Sequence, residues 1–288
     1  MQLRSLLIRL HLAEGIGYAG MAKVLHRCLR QHRVLTTVAE LTQAAHLSTA
    51  DARRFRADWE SERFNQAVAR HQELQILTIL DRDYPLTLME SFQPPLVLFL
   101  QGKRQLLATP QLAIVGARQA SPYAARCVAQ LLEPLAGSGI TIISGLAHGT
   151  DSCAHRQALR VKLPTIGVIG TGLDVVYPRQ NKDLQREVGL VGLLISEYPL
   201  GSAPARYHFP ERNRIIAGLC AALVVVGARE HSGSLITANL ALQNNRNVLA
   251  VPGPIDAPMS VGCNQLILAG AKPVLNSRHI IEEIYHKI

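Results

Sequence analysis

The sequence predicts an α/β fold: a mostly parallel sheet with helices on both faces, preceded by a small all-α N-terminal domain. Three observations carry this. Residues 1–72 place apolar side chains three and four apart with charges between them, the spacing of amphipathic helices. From about residue 75 onward, short β-branched runs alternate with helix-like stretches. Those runs lack polar alternation, so they are strands buried on both faces, as in parallel sheets covered by helices.

In chain order, "LLIRLHLAEGIGYAGMAKVLHRCLRQH" reads as two helices joined at glycines. Its "GIGYAG", Gly15 to Gly20, matches the dinucleotide G-x-G-x-x-G spacing, but the residues before it are helical and no β-α-β unit surrounds it. A helix–turn–helix joint fits better, either a plain connector or a hairpin that holds a DNA backbone. "STADARRFRADWESERFNQAVARHQEL" then opens on Ser48 or Thr49 as an N-cap and clusters Arg53, Arg54 and Arg56. Next, "YPLTLMESFQPPLVLF", Tyr84 to Phe99, carries three prolines and reads as an extended joint. Strands are expected at 76–80, 96–100, 112–116, 140–144, 165–170, 192–196, 222–227 and 247–251, with helices between them such as Ser121–Ala136 and Gly149–Arg160. The expected domains are 1–72, helical, and 73–288, the α/β part. No internal repeat or low-complexity tract interrupts them.

Bulk properties narrow the function classes. A length of 288 residues with 48% hydrophobic content supports two domains and a substantial core. Cys28, Cys127, Cys153, Cys220 and Cys263 are odd in number and form no C-x-x-C pair, so neither a disulfide framework nor a zinc finger is indicated. The N-terminus breaks its apolar residues with Arg4, Arg9 and His11, unlike a signal peptide. The longest apolar run, Leu219–Ala228, is far short of a membrane span. These features lead us to expect a soluble, cytoplasmic protein with no membrane partner. A net charge of +9 and a pI near 9.6 favour an anionic partner, nucleic acid above all.

Ligands of parallel sheets sit beyond the carboxyl ends of the strands, and there the glycines fall. The strand at 112–116 ends in Gly116-Ala117-Arg118. The next ends in Ser144-Gly145-Leu146-Ala147-His148-Gly149, then a helix, and the strand at 165–170 ends in Gly170-Thr171-Gly172. The strand at 222–227 leads through Gly227 to Ser232-Gly233-Ser234 at a helix start. Glycines let backbone approach an oxygen closely, and free N–H groups at a helix start favour an anion. One such turn is ordinary fold chemistry; several on one edge, with arginines beside them, make an anion-binding rim. The segment "ARYHFPERNRIIAG" adds Arg206, Phe209, Arg212, Asn213 and Arg214, interleaving cations with rings as a single strand requires. Alternatively, Phe209 plugs the core and the arginines pair with Glu211 and Glu230. Arg212 and Arg214, two apart on a helix, face differently, so one is structural while the other meets the ligand. Arg179 and Lys182 in "YPRQNKDL" sit on another loop at the same edge.

No catalytic constellation emerges. The Walker lysine is missing, "ISGLA" is not a nucleophile elbow, and His148, Cys153 and His155 do not have zinc spacing. We expect no metal, no cofactor and no enzymatic activity.

The ordered motifs "AIVGARQASPYAAR", "ISGLAHGTDSCAHRQAL", "GTGLDVVYPRQN", "LISEYPLG", "FPERNRIIAGL", "SGSLITANLAL", "VLAVPGPID" and "GCNQLILAGA" resemble those of the DNA-processing protein A (DprA/Smf) family, over roughly Tyr84 to Asn276. The resemblance implies an extended Rossmann-like domain that binds single-stranded DNA without catalysis, works as a homodimer and helps load the RecA recombinase during natural transformation. It implies DNA contacts at Arg118, Arg179, Arg206 and Phe209, with the "SGLAHG" and "SGS" turns holding phosphates. Residues 1–72 resemble the family's small N-terminal helical domain, of the SAM-like or helix-hairpin type. The end at Ile288 resembles the short form without a C-terminal winged helix. His148 stands where the family usually has arginine, Thr150 replaces an isoleucine, and Arg206 stands where members often have lysine. The apolar segment Met259–Tyr285 is the expected dimer contact. The rival reading is a Rossmann-like enzyme acting on a nucleotide or sugar phosphate, of the phosphoribohydrolase type; its "PGGxGTxxE" pattern is missing here.

Overall fold

A computed structural model describes residues 2–285. The chain divides into two units: one runs to Tyr84 and includes Pro95–Phe99, the other comprises Pro85–Pro94 and the chain from Leu100 onward.

The first unit is helical. It contains α1 (Leu3–Leu12), α2 (Tyr18–Arg30), α3 (Val38–Ala45), α4 (Thr49–Trp59) and α5 (Glu62–Gln72), followed by strand β1 (Gln75–Thr78). Local chemistry sets the helix starts. Thr37 and Glu40 form a reciprocal capping box on α3, while the Ser48 and Ser61 hydroxyls accept the amides of Asp51 and Phe64 at the starts of α4 and α5. Leu6, Leu7, Leu10, Val24, Leu41, Phe55 and Phe64 fill the core. Gly15 has φ +80°, and a side chain there would meet the backbone of Asp51 and Phe55. The first glycine of "GIGYAG" thus serves helix packing against α4.

The second unit is the α/β body. Strand β2 (Val97–Gly102) enters it, and α6 (Leu86–Met89) belongs to it. Its further strands are β3 (Gln111–Gly116), β4 (Thr141–Ser144), β5 (Thr165–Ile169), β6 (Leu193–Ser196), β7 (Ala222–Val226), β8 (Asn247–Ala250) and β9 (Lys272–Pro273). They lie in the order β6-β5-β4-β3-β7-β8-β9, each neighbouring pair parallel, from Ile166 opposite Leu193 to Leu249 opposite Lys272. The α/β class and the mostly parallel, Rossmann-like sheet are as the apolar runs predict.

The helices of this unit are α7 (Pro122–Leu132), α8 (Thr150–Arg160), α9 (Lys182–Val191), α10 (His208–Leu219), α11 (Gly233–Gln243), α12 (Val261–Leu268) and α13 (Ser277–Tyr285). On one face, Ala124 and Val128 of α7, Ala154 and Ala158 of α8, and Ile280 and Ile284 of α13 bury Leu112, Ile114 and Val224. Helices α10 and α11 pack against each other and against β3, supplying the other layer.

Three details depart from expectation. The joint read as extended contains α6, which starts directly after Pro85, where a missing N–H does no harm. The helix expected to reach Ala136 stays α-helical only to Leu132 and tightens into a 3-10 turn at Glu133–Leu135, where Pro134 removes a donor. The short β9 was not expected at all. At β3 the strand order reverses, β4 lying on one side and β7 on the other. Ligands of open α/β sheets bind beyond the strand ends at such a reversal.

Candidate nucleic-acid interface

Most candidate residues lie in turns or at helix starts that follow the carboxyl ends of strands, while Phe209, Arg212, Asn213 and Arg214 lie on α10. After β3, Gly116 sits so close to the Val226 carbonyl and the Thr150 side chain that no Cβ fits. The Ala117 amide then donates to Gly227 O (2.9 Å), while Ala117 O accepts the Thr150 amide at the start of α8 (3.1 Å). Arg118, next in the chain, is exposed.

The turn after β4 is tied down at four points. Ser144 Oγ donates to Ile114 O (2.7 Å), and the Ala147 amide donates to the buried Asp151 carboxylate (3.3 Å). Asn181 Nδ2 donates to the carbonyls of Leu146 (2.9 Å) and Ala147 (3.2 Å). Leu146 takes φ +54° with its side chain fully buried, in space left by the missing Cβ of Gly167. Gly149, at φ +76° and ψ −124°, lies against the backbone of Ala117 and Arg118, a conformation and a proximity that only glycine tolerates. His148 is exposed and pairs with Gln180 (3.2 Å).

Behind this turn lies a buried charged pair. The Arg212 guanidinium, from α10, donates through Nη1 to the carbonyls of Gly145 and Val168 and occupies the space a Cβ on Gly145 would need. Burial pushes the Asp151 carboxyl up from the usual carboxylate range, and Arg212 holds it back. Burial and the same guanidinium depress His155 to about 3, leaving it neutral with Nδ1 on Thr165 Oγ1 (2.8 Å). Arg214 turns the other way, its Nη2 bonding both Glu197 carboxylate oxygens at 2.6 Å. Both arginines are therefore engaged inside the fold. The partner of Arg214 is Glu197, whereas the sequence suggested Glu211 or Glu230.

The remaining candidates form the outer rim. Phe209 is half-buried; its ring lies 5.4 Å from that of Tyr177, and the Arg118 guanidinium sits 5.6 Å from its centroid. Arg206, Arg179 and Lys182 are exposed. After β7, Ser232 precedes α11 with its hydroxyl 2.9 Å from that of Ser234 and makes no side-chain cap bond; its carbonyl accepts the Leu235 amide (3.0 Å), which leaves the Gly233 and Ser234 amides open.

These elements enclose two adjoining pockets. One, of about 400 Å3, is lined by Arg118, Ala147, Asp151, Phe209, Arg212, Asn213, Ser232, Gly233 and Ser234. The other, of about 50 Å3, is lined by Arg118, Gly145, Ala147, His148, Tyr177, Phe209 and Arg212. Arg118 and Phe209 border both. Leu146, Gly149, Arg179, Lys182, Arg206 and Arg214 line neither. Sequence reasoning missed Tyr177 and Asn181, although both lie in the "YPRQN" stretch, and missed Arg229, which lines the larger pocket. Among the described residues no cluster of three His, Cys, Asp or Glu side chains is arranged to hold a metal ion, and no helix is long and apolar enough to cross a membrane.

This architecture has recognisable relatives. The family model of DNA recombination-mediator protein A matches residues 75–285. The DNA processing protein DprA of Streptococcus pneumoniae is 44% identical over 212 residues, 74% of this chain and 75% of that protein. The protein Smf of Escherichia coli is 44% identical over 204 residues, 70% of this chain but 54% of its own length. Among solved structures, that of DNA processing protein A from S. pneumoniae superposes with a TM-score of 0.86 at 36% identity, covering 97% of this chain and 96% of that one. A structure of DNA processing protein A from Helicobacter pylori, concerned with its single-stranded DNA binding mode, gives 0.65 at 31% identity, covering 74% of this chain and 96% of that one.

Proposed function

The chain belongs to the DNA recombination-mediator protein A family, and from that membership we propose that it binds single-stranded DNA along the rim and delivers it to a RecA-type recombinase, without chemistry on the strand. The carrying observation is the Arg118–Phe209 pair at the border of both pockets, a cation over an aromatic face where the strand order reverses. A half-exposed ring offers a stacking surface to an unpaired base, and such stacking is worth ~1–3 kcal/mol per base. Arg118, Arg179, Lys182 and Arg206 supply charge for phosphates, and the open amides at the start of α11 supply backbone donors. His148, neighbouring Gln180, hydrogen-bonds a phosphate oxygen or base edge in this reading.

In the same reading Asp151 is a support for the β4 turn. It accepts the Ala147 amide and faces Arg212, so it has no need of a substrate to be satisfied. The protein acts in the cytoplasm during uptake of transforming DNA, and it acts as a homodimer. For the dimer we propose the Met259–Tyr285 segment, where Leu268 is 90% and Leu275 68% exposed while Ile280 and Ile284 face the core.

The direct test is fluorescence anisotropy of labelled oligo-dT, compared with its blunt duplex, without nucleotide or metal. Preference for the single strand, lost in Arg118→Glu and Arg206→Glu, supports the reading. Wild-type binding by both variants removes the site assignment. Release of free base from a nucleoside monophosphate would replace the mediator with an enzyme. The recombinase step is tested by RecA nucleation on a strand coated with single-strand-binding protein; no acceleration by this chain removes that part. Leu268→Arg with Leu275→Arg should halve the mass measured by light scattering, and an unchanged dimer mass would discard the proposed contact.

A further inference from the structure

The rim leaves one basic feature of the first unit unused. On α2, Lys23, His26, Arg27 and Arg30 recur at the three- and four-residue intervals that put side chains on one helix face. They line a concavity of about 670 Å3 with Gln31, Ala22, Ala44 and His46, the last at the left-handed C-cap of α3. Lys23, His26, Arg30 and His46 are exposed and Arg27 half-buried. None of the five forms an ion pair with an acidic side chain among the described residues, and no acidic residue lines the hollow. Elsewhere in this unit four acids hold other arginines: Glu40 holds Arg33, Asp81 holds Arg4, and Glu14 with Asp58 holds Arg63. A stripe of cations without counter-charge is held together only at an electrostatic cost that an anionic partner would remove.

We propose that this hollow is a second nucleic-acid contact, specific for the phosphate backbone of duplex DNA. The proposal rests on the nucleic-acid reading of the rim but uses different residues. The lining supplies the chemistry: it has cations, an amide and the small imidazoles of His26 and His46 but no Phe, Tyr or Trp ring, so phosphate contacts outweigh base stacking there. That is the reverse of the rim, where Phe209 and Tyr177 border the pockets. Length agrees as well. From Lys23 to Arg30 the helix rises about 10 Å at ~1.5 Å per residue, and over that distance one strand of a duplex presents about three phosphates at ~3.4 Å along the axis. Sequence readout is not expected, because phosphate contacts carry none. The arginines Arg53, Arg54 and Arg56 of α4, although exposed, do not line the hollow and are not part of the site.

The experiment uses the full chain, a labelled blunt duplex of about 20 base pairs and labelled oligo-dT, with salt titrations of each. The variants are Lys23→Glu/Arg27→Glu/Arg30→Glu, the same three positions changed to Gln, and the rim pair Arg118→Glu/Arg206→Glu. Wild type should bind the duplex measurably at low salt. The triple variants should weaken duplex binding at least tenfold and lower its log–log salt slope by about 3, at ~0.9 per neutralised phosphate, while oligo-dT binding stays within twofold. The rim pair should do the opposite. Duplex affinity unchanged in the triple variants, or no duplex binding by wild type, overturns the proposal, as does binding to anionic phospholipid vesicles in place of duplex. Loss of both probes by a Gln variant with wild-type circular dichroism and melting also overturns it. Loss of oligo-dT binding by wild type alone would instead sink the rim reading and leave the duplex contact standing.

Discussion

Phe209 is the residue on which the nucleic-acid reading turns, because its half-exposed ring neighbours both the Tyr177 ring and the Arg118 guanidinium. Phe209→Ala should lower oligo-dT affinity about 5- to 150-fold, the ~1–3 kcal/mol of a stacked base, whereas Phe209→Trp should keep it; anisotropy measures both. Gly149 works through geometry alone. Its positive φ and its approach to the backbone of Ala117 and Arg118 mean that Gly149→Ala introduces both strain and overlap. We expect a loss of about 2 kcal/mol or more in urea unfolding, together with displacement of Arg118. His155 gives a pH signature. Burial, then Arg212, hold it at about 3 in the folded chain, against about 6.5 when unfolded. Between those values the unfolded chain binds the extra proton, so this group makes stability fall as pH drops from 6.5 towards 3. Asp151, whose folded value is raised, acts in the opposite sense, since its folded form takes up a proton first. His155→Gln should therefore flatten the decline in urea midpoint between pH 6.5 and 4.5, and an identical decline in the variant would show that other groups govern it.

At the scale of the element, α10 does two jobs that its sequence does not separate. Its first turn carries Phe209 to the pockets, and its next turn sends Arg212 into the interior and Arg214 to Glu197. The Arg214–Glu197 side chains are only 17% and 14% exposed, so Arg214→Ala leaves a poorly solvated carboxylate and should cost about 3 kcal/mol, with less than additive loss in the double Arg214→Ala/Glu197→Ala variant. Chemical denaturation of the three variants decides it. The division of labour along α10 also marks what was legible in the sequence. Strands β3 to β8 were legible because strands covered on both faces must be continuously apolar, and the turns after them because glycine is required where backbone crosses backbone. The two-residue β9 and the four-residue α6 are too short to show a period. Which arginine turns inward was not legible, because the Gly145 and Val168 carbonyls that receive Arg212 are 67 and 44 residues away in the chain. Asn181 escaped for the same reason: its bonds to the β4 turn span 35 and 34 residues.

For the whole molecule the +9 charge matters through where it is free to act. Arg212 is buried among carbonyls and Arg214 is neutralised by Glu197, so neither adds to counterion release at the rim. Besides Arg229 of the larger pocket, that leaves the four exposed cations assigned to phosphates, Arg118, Arg179, Lys182 and Arg206. With ~0.7 counterions released per phosphate of a single strand, four contacts give a log–log salt slope of about −3 for one rim. A strand too short to leave one protomer should show that slope. A strand long enough to cross the proposed dimer would meet two rims and should approach about −6, with affinity raised by the effective concentration of the second site. Separating the protomers with Leu268→Arg/Leu275→Arg should return the long strand to the shallow slope while leaving the short strand unchanged. If the slope instead stays near −3 at every length, one rim holds the whole strand and the proposed dimer plays no part in binding. If it is steep even for the short strand, further cations than these four touch the DNA, and the rim extends beyond the turns of the sheet edge.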